Sequence, residues 1–414
     1  MSCVRAVPRI AGFLLIAFIA APAARAEHGL TLAEAERLAL EHAPWYAHHR
    51  ANVEAAAERA AYEGQLPDPQ LSLGLLNVPT DTWKLDREDM TMAMVGVRQS
   101  FPPYGALDAR TRRAEQTLTR ERARLETERA NLMRQVRAVW YELYYATQGL
   151  RLIEATRALA VRDLEAAEAR FRAAQDSPRA VLRARQTVAR FDERAPMLRA
   201  SAARARASLA RWIPEHARDP LPEALPLLPA PSETFDPARH PETRAAQAEI
   251  EAMRAEVDMA LTEYKPGWML DLNYGVRRPM PDGTERPNLA TAMVTLDLPI
   301  FRSQRQDRRL AESRSKEVGA RLEAEDKRRE LEAMYGAMRA EFEALDARVR
   351  VFEERLVPSL KRETEITLAG FAREQVELRD ARMRQLDAEL ELLRLRVDRS
   401  KTQAELLYLT GEEP

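Results

Sequence analysis

The side chains in this sequence whose type and spacing could carry chemistry are methionines, a few histidines and two groups of charge. Met90, Met92 and Met94 recur at every second position, which on a β-strand puts three thioethers on one face, and Met293 matches Met94 later in the chain. Soft thioethers suit Cu(I). Flexible apolar filling asks for the same residues and is the simpler reading. The histidines are dispersed: His48-His49 has no partner three or four residues away, only distant His42, so packing or solvation outweighs metal ligation. Asp81, Asp86, Glu88 and Asp89 crowd one loop, as a solvated rim or as a funnel for cations. The single cysteine, Cys3, precedes an apolar run and offers no acceptor for an N-terminal lipid anchor. No constellation of nucleophile, base and orienting group, no glycine-rich phosphate loop and no metal-ligand spacing is present, so neither an enzyme nor a cofactor nor a resident metal is expected.

The elements that must position these residues are long helices. Of the 414 residues, 31% are charged and 6% aromatic, only 14 are Gly, and tracts of Ala, Glu, Arg and Leu dominate. The net charge of -1 gives no basic field for nucleic acid. From Ser303 to Leu409 the sequence reads as one long helix, a break at Ala369 and Gly370, and a helix running back. Met334, Met338, Leu345, Val349, Phe352 and Leu356 mark the outgoing limb, and Met383, Leu386, Leu390, Leu393, Val397, Ala404 and Leu407 the returning one, at coiled-coil spacing. An outgoing helix of roughly 65 residues would be about 100 Å long, more than any compact domain needs.

Residues 1–26, with Arg5 and Arg9 before an apolar core and Ala24-Arg25-Ala26 after it, read as a secretory signal peptide. Thr31 with Glu34 makes a capping box for a helix over residues 32–63. A β-hairpin is expected over residues 69–101, with period-two spacing at Leu71, Leu73 and Leu75 and again from Met90 to Phe101. A helical hairpin follows over 104–212, turning at Asp176-Ser177-Pro178. After a proline-rich linker, residues 214–235, the pattern begins again: His240-Pro241 opens a helix, a hairpin spans 267–299 and a long helical hairpin spans 303–410. Corresponding features are separated by about 200 residues, so 27–213 and 236–414 read as an internal duplication.

The strands argue for a membrane. Trp268, Leu270, Leu272 and Tyr274 share one face and Asp271, Asn273 and Gly275 the other. Ala292, Val294, Leu296 and Leu298 oppose Thr291, Thr295 and Asp297. This is the apolar-out, polar-in alternation of outer-membrane barrel strands. By the repeat, Val95 and Val97 face lipid, while Met90, Met92, Met94, Arg98, Asp271, Asn273, Met293 and Asp297 face a lumen. Tyr264, Trp268, Phe301, Phe101 and Tyr104 gather where strands meet helices, as an interfacial belt would. Four strands fall short of the roughly eight that close even a small barrel, so the barrel must be shared among subunits.

Several motifs together resemble the TolC family of outer-membrane efflux proteins. They are Leu30-Thr31-Leu32-Ala33-Glu34-Ala35 through Ala39-Leu40-Glu41-His42-Ala43-Pro44, Gln65-Leu66-Pro67-Asp68-Pro69, Gln99-Ser100-Phe101-Pro102, Leu298-Pro299-Ile300-Phe301, and Val357-Pro358 through Gly370 to Leu378. The resemblance spans the chain after its leader. It implies a mainly α fold with a small β part: a homotrimer whose coiled-coil hairpins form an α-barrel and whose strands, four per subunit, form a shared 12-stranded outer-membrane β-barrel. It further implies an exit duct in the outer membrane that extends into the periplasm, meeting a periplasmic adaptor, or membrane fusion protein, and an inner-membrane pump. The short acidic loops, the Gln99 to Pro102 segment and the compact length are similar to the heavy-metal branch serving resistance-nodulation-division pumps. Drug efflux and type I protein secretion use the same duct, and a periplasmic coiled-coil adaptor would share the hairpins without the strands.

Within the resemblance, the two helix turns are the functional positions. Phe171, Ala174, Asp176 and Leu182 in the first, with Gly370, Phe371, Glu374, Leu378 and Arg379 in the second, belong to the periplasmic tip, where an adaptor hairpin docks and the tunnel closes. Some relatives ring this end with aspartates. Val376 and Arg379 stand at the matching positions here, so an ion pair between Arg379 and a carboxylate on a neighbouring helix is expected instead.

Overall fold

The computed structural model describes residues 29–369 and 375–411. The leader 1–26, Cys3, Gly370, Phe371 and Glu374 lie outside the described residues. The capping box forms, Thr31 Oγ1 accepting the Glu34 N–H at 3.2 Å, and opens α1 (Leu32–His42). The single helix expected over 32–63 is in fact two. Pro44 drives Ala43 into extended backbone, φ -70° and ψ 113°, and α2 (Pro44–Tyr62) restarts with that proline in its first turn.

Two strands follow, β1 (Gln70–Leu76) and β2 (Met92–Phe101). The chain then enters α3 (Ala106–Arg172), whose 67 residues span about 100 Å, and returns along α4 (Pro178–Ala210). A 3-10 turn, Pro237–Arg239, leads to α5 (Pro241–Thr262), capped by His240, whose Nδ1 accepts the Glu242 N–H at 3.2 Å. Next come β3 (Gly267–Val276), β4 (Leu289–Asp297) and α6 (Gln306–Val351). The outgoing limb is not uniformly α-helical: a single π-helical turn, Phe352–Leu356, separates α6 from α7 (Val357–Ala369). Pro358 has no N–H for the carbonyl four residues back, and the Val357 N–H reaches Phe352 O instead. The chain runs back through α8 (Gln375–Thr410).

The largest core lies midway along the helices, where Leu32, Leu38, Trp140, Tyr141, Leu143, Leu209, Ile213, Val397 and Ala404 bury together. Trp140 anchors it, donating from Nε1 to Leu30 O at 3.0 Å. The proline-rich segment has little regular structure but is fastened to the helices by side-chain donors. Tyr144 Oη donates to Glu223 O at 2.6 Å, Gln148 to Pro222 O, Gln403 to Leu228 O and Pro229 O, and Tyr335 Oη to Ser232 O. These bonds satisfy carbonyls that proline neighbours leave without a ladder. Smaller clusters continue along the seam: Ile153, Phe191, Leu386 and Met383, then Leu345, Val349, Leu392 and Leu395. Of the expected seam of α8, Met383, Leu386, Val397, Ala404 and Leu407 are buried and Leu390 and Leu393 half-buried, while Leu392 and Leu395 bury on a second stripe against α6.

Candidate functional site

The four strands form one antiparallel sheet in the order β1-β2-β3-β4. The register places Ser72 beside Gly96, Gly96 beside Asn273 and Asn273 beside Thr291, and likewise Arg98 beside Asp271 and Asp271 beside Met293. Paired residues share a face. One face therefore carries Ser72, Gly96, Arg98, Asp271, Asn273, Thr291, Thr295 and Asp297. The opposite face carries Leu71, Leu73, Leu75, Val95, Val97, Leu272, Tyr274, Val294 and Leu296, all large and exposed. No helix among the described residues is long and apolar enough to cross a membrane. A continuous apolar sheet face is the surface that suits lipid, and β1 and β4 each end the sheet with an edge that has no partner among the described residues.

On the polar face, Arg98 Nε donates to Asp271 Oδ1 at 2.6 Å, joining directly opposed residues of β2 and β3. Asp271 is buried and its Oδ2 has no partner among the described residues, whereas Arg98 is open to solvent. Gly96 is required by close approach: a Cβ there would sit 1.9 Å from Asn273 Oδ1. Of the methionine stripe, Met92 and Met94 do share this face, with Met293 beside Asp271, but Met90 does not join them. Met90 lies in a turn ahead of β2, because Thr91 is drawn inward to donate from Oγ1 to Asn77 O at 2.6 Å. Met92 folds down against Gly275, where a Cβ would meet its Sδ at 2.3 Å, Met94 is half-buried and Met293 is exposed. Met92 and Met94 thus both lie against Gly275, and among the described residues no group of three His, Cys, Asp or Glu could hold a metal ion.

The loops above the sheet hold a residue that the sequence did not single out. Arg286 is buried and donates to Arg278 O at 2.6 Å and to Glu88 O and Leu85 O across the two hairpins. Arg277 adds a bond to Asp89 O at 3.1 Å. The acidic loop is therefore shaped by arginines on its carbonyls, a pattern with no sequence period to reveal it. At the other end of the sheet Phe101 stacks on Trp268 with ring centroids 4.0 Å apart, and Lys265 lies over Tyr104. Tyr264 Oη donates to Asp307 Oδ1 at 2.5 Å, and Phe301 is exposed.

At the far end of the helices Ala174 turns the chain with φ 57°, and Asp176 accepts the Ser177 N–H at 2.7 Å while lying 3.5 Å from Arg170. Phe171, Leu182, Ile366 and Leu368 are exposed there, and Leu378 is half-buried. Arg379 is buried, and its Nη1 donates to the Ala180 carbonyl at 3.5 Å. Burial lowers its pKa from the usual arginine value, opposed by the more distant Asp163 and Asp176. Towards this end the two hairpins are instead joined by Arg382 with Asp163 and, at 2.5 Å, Arg194 with Asp387. Their signal in the sequence is the charge flanking the α8 seam, where coiled coils place interhelical pairs.

A family profile described as outer membrane efflux protein matches residues 36–213 and 237–412. Among solved structures, the chain is similar to CusC, studied for conformational changes accompanying folding and transmembrane channel formation, with 15% identity, a TM-score of 0.75 and 92% of each chain covered. It is also similar to VceC, an outer membrane protein of Vibrio cholerae, with 16% identity, a TM-score of 0.75, and 93% of this chain and 97% of that one covered. The open state of MtrE, an outer membrane channel of Neisseria gonorrhoeae, matches with 17% identity, a TM-score of 0.71, and 93% and 89% covered. At these identities the likeness is one of fold. No curated protein matches the chain by sequence.

Proposed function

Because the chain belongs to the outer membrane efflux protein family, whose members are channels and not enzymes, we propose that it is the exit duct of a tripartite efflux system. Members of this family are trimeric and work with an adaptor and an inner-membrane pump. In this reading the leader 1–26 directs export, and the two repeats, 27–213 and 236–414, joined by the linker 214–235, build one third of the duct. Three sheets join edge to edge, β4 to the next subunit's β1, in a barrel of about 12 strands. The single observation that carries this is the sheet itself: one face predominantly apolar and exposed, the other carrying the charged and most of the polar side chains, and both edges without a partner among the described residues. A barrel is the only way to cover such edges in lipid.

The helices then carry the lumen about 100 Å into the periplasm. Their tips, with Phe171, Leu182, Ile366 and Leu368 exposed, receive the adaptor hairpin, and the Arg382–Asp163 and Arg194–Asp387 pairs hold the tunnel closed. The cargo is heavy-metal cations delivered by a resistance-nodulation-division pump. The acidic residues of the 77–91 loop and the compact length support this reading. Growth of a deletion strain, with and without plasmid rescue, is to be measured across zinc, cadmium, cobalt, copper and silver gradients beside hydrophobic antibiotics. Selective metal sensitivity is expected. Sensitivity to antibiotics alone removes the metal assignment and leaves a drug duct.

A further inference from the structure

Where α3, the first turn of α5 and the end of α8 meet, the helical wall encloses a cavity of about 230 Å³. Its lining includes the guanidinium groups of Arg137, Arg239 and Arg244 and the carboxylate of Glu126. Arg137 is the decisive member. It is only 5% exposed, its Nε donates to Glu36 Oε1 at 2.5 Å, and its Nη2 has no hydrogen-bond partner among the described residues. A guanidinium offers five donors in a fixed fork and no acceptor, so a buried, unpaired end calls for an anion or a neutral acceptor at that point. The cavity also takes in the amino end of the 22-residue helix α5, where the helix dipole is positive. Arg239 is exposed and held only loosely by Asp236, at 3.5 Å, and Arg244 is exposed with no ion pair among the described residues.

We propose that this cavity is an oxyanion site, taking one small phosphate- or carboxylate-bearing anion per chain. Arg137, paired through Nε with Glu36, supplies the buried unpartnered Nη2 donors, and Arg239 and Arg244 close over the ligand from the α5 side. A bound anion ties the end of α8 to α3 and α5, and so braces the wall at the level of the largest core. Arginine suits this task because its fork matches the paired oxygens of phosphate and carboxylate.

The purified full-length trimer in detergent is titrated calorimetrically with inorganic phosphate and with citrate, each against sodium chloride of matched ionic strength. Binding of either anion is expected at one per chain, and the one that binds identifies the headgroup chemistry. Affinity should fall about tenfold in Arg244→Ala and be lost in the double variant Arg239→Ala/Arg244→Ala, as expected for charge-assisted bonds. Both arginines are exposed, so these chains fold. No heat beyond that of chloride, or equal binding by the wild type and the double variant, overturns the site. Gly411 lines the cavity, and Glu412 and Glu413 follow it in the sequence. Anion binding confined to Glu412→Gln/Glu413→Gln would also overturn it, by showing that the chain's own carboxylates fill the cavity.

Discussion

Replacing Arg382 by Ala should open the periplasmic end of the duct. Arg382 on α8 pairs with Asp163 on α3, 219 residues away, with side-chain exposures of 19% and 23%. Fully exposed ion pairs contribute about 0.2–1 kcal/mol, while truncating one partner of a buried pair costs about 3–5 kcal/mol. A pair one-fifth exposed lies between these limits, at roughly 1–2 kcal/mol. If all three subunits of a trimer must break it to open, the closed state loses about 3–6 kcal/mol, and each 1.4 kcal/mol is a factor of about ten in population. The open fraction should therefore rise by about a hundredfold or more. Single-channel conductance in planar bilayers reads this directly, and entry of large hydrophilic antibiotics normally held out by the outer membrane reads it in cells. Arg194→Ala serves as a comparison, because its pair with Asp387 is more exposed, at 36% and 52%, and should yield a far smaller effect. Asp163→Ala/Arg382→Ala should match Arg382→Ala alone. An Arg382→Ala trimer with the wild-type conductance distribution and unchanged antibiotic entry would refute the closure argument.

Other perturbations test other levels of the structure. Leu73→Arg, on the apolar sheet face, should cost about 2–4 kcal/mol if it meets the bilayer midplane and remove the protein from outer-membrane fractions, whereas Thr291→Arg on the opposite face should leave the amount unchanged. Gly96→Val drives a side chain into Asn273 Oδ1 and Ser72 Oγ, so heat-resistant oligomer on gels should drop sharply. Tyr141→Phe removes a buried hydroxyl that has no partner among the described residues, so thermal unfolding should show a change between neutral and about 1 kcal/mol of added stability. Burial holds the His240 imidazole below its ordinary pKa, so the unfolded chain takes up a proton before the folded one does. The resulting stability is whole above about pH 6.5 and is lost as pH falls through the lower folded value. The melting temperature should decline more steeply on acidification in wild type than in His240→Asn, which still caps α5.

Features written into a local period were legible in the sequence. The alternation at Leu71, Leu73 and Leu75, the seam from Met383 to Leu407 and the Thr31–Glu34 cap each depend on neighbours within a few residues, and each is found in its element. What escaped depends on partners far away or on proline. Met90 continues the alternation of β2 in sequence, yet Thr91 closes the loop on Asn77, which sits at φ 53°, and this takes Met90 off the strand. Pro44 split a helix whose hydrophobic period runs straight through it, and Pro358 introduced a π turn into a limb that reads as regular. At the tip the heptad shows which residues face the seam, but it cannot choose Arg382 over Arg379 as the partner of Asp163. That choice is made by the packing of α8 against α3 and α4, which leaves the Arg379 guanidinium on the Ala180 carbonyl.

The open edges of the sheet have a genetic consequence. If each barrel takes one third of its wall from each of three chains, a cell making normal and defective chains in equal amounts builds only about one barrel in eight from normal chains alone. A variant that keeps the β1 and β4 edges but obstructs the passage, for instance at Asn273 or Thr291, enters assemblies freely and should behave as dominant. A variant that spoils an edge, such as proline within β1 or β4, excludes itself and should behave as recessive. Inheritance in a merodiploid strain would thus sort residues of the same sheet into those that make the wall and those that line the way through it.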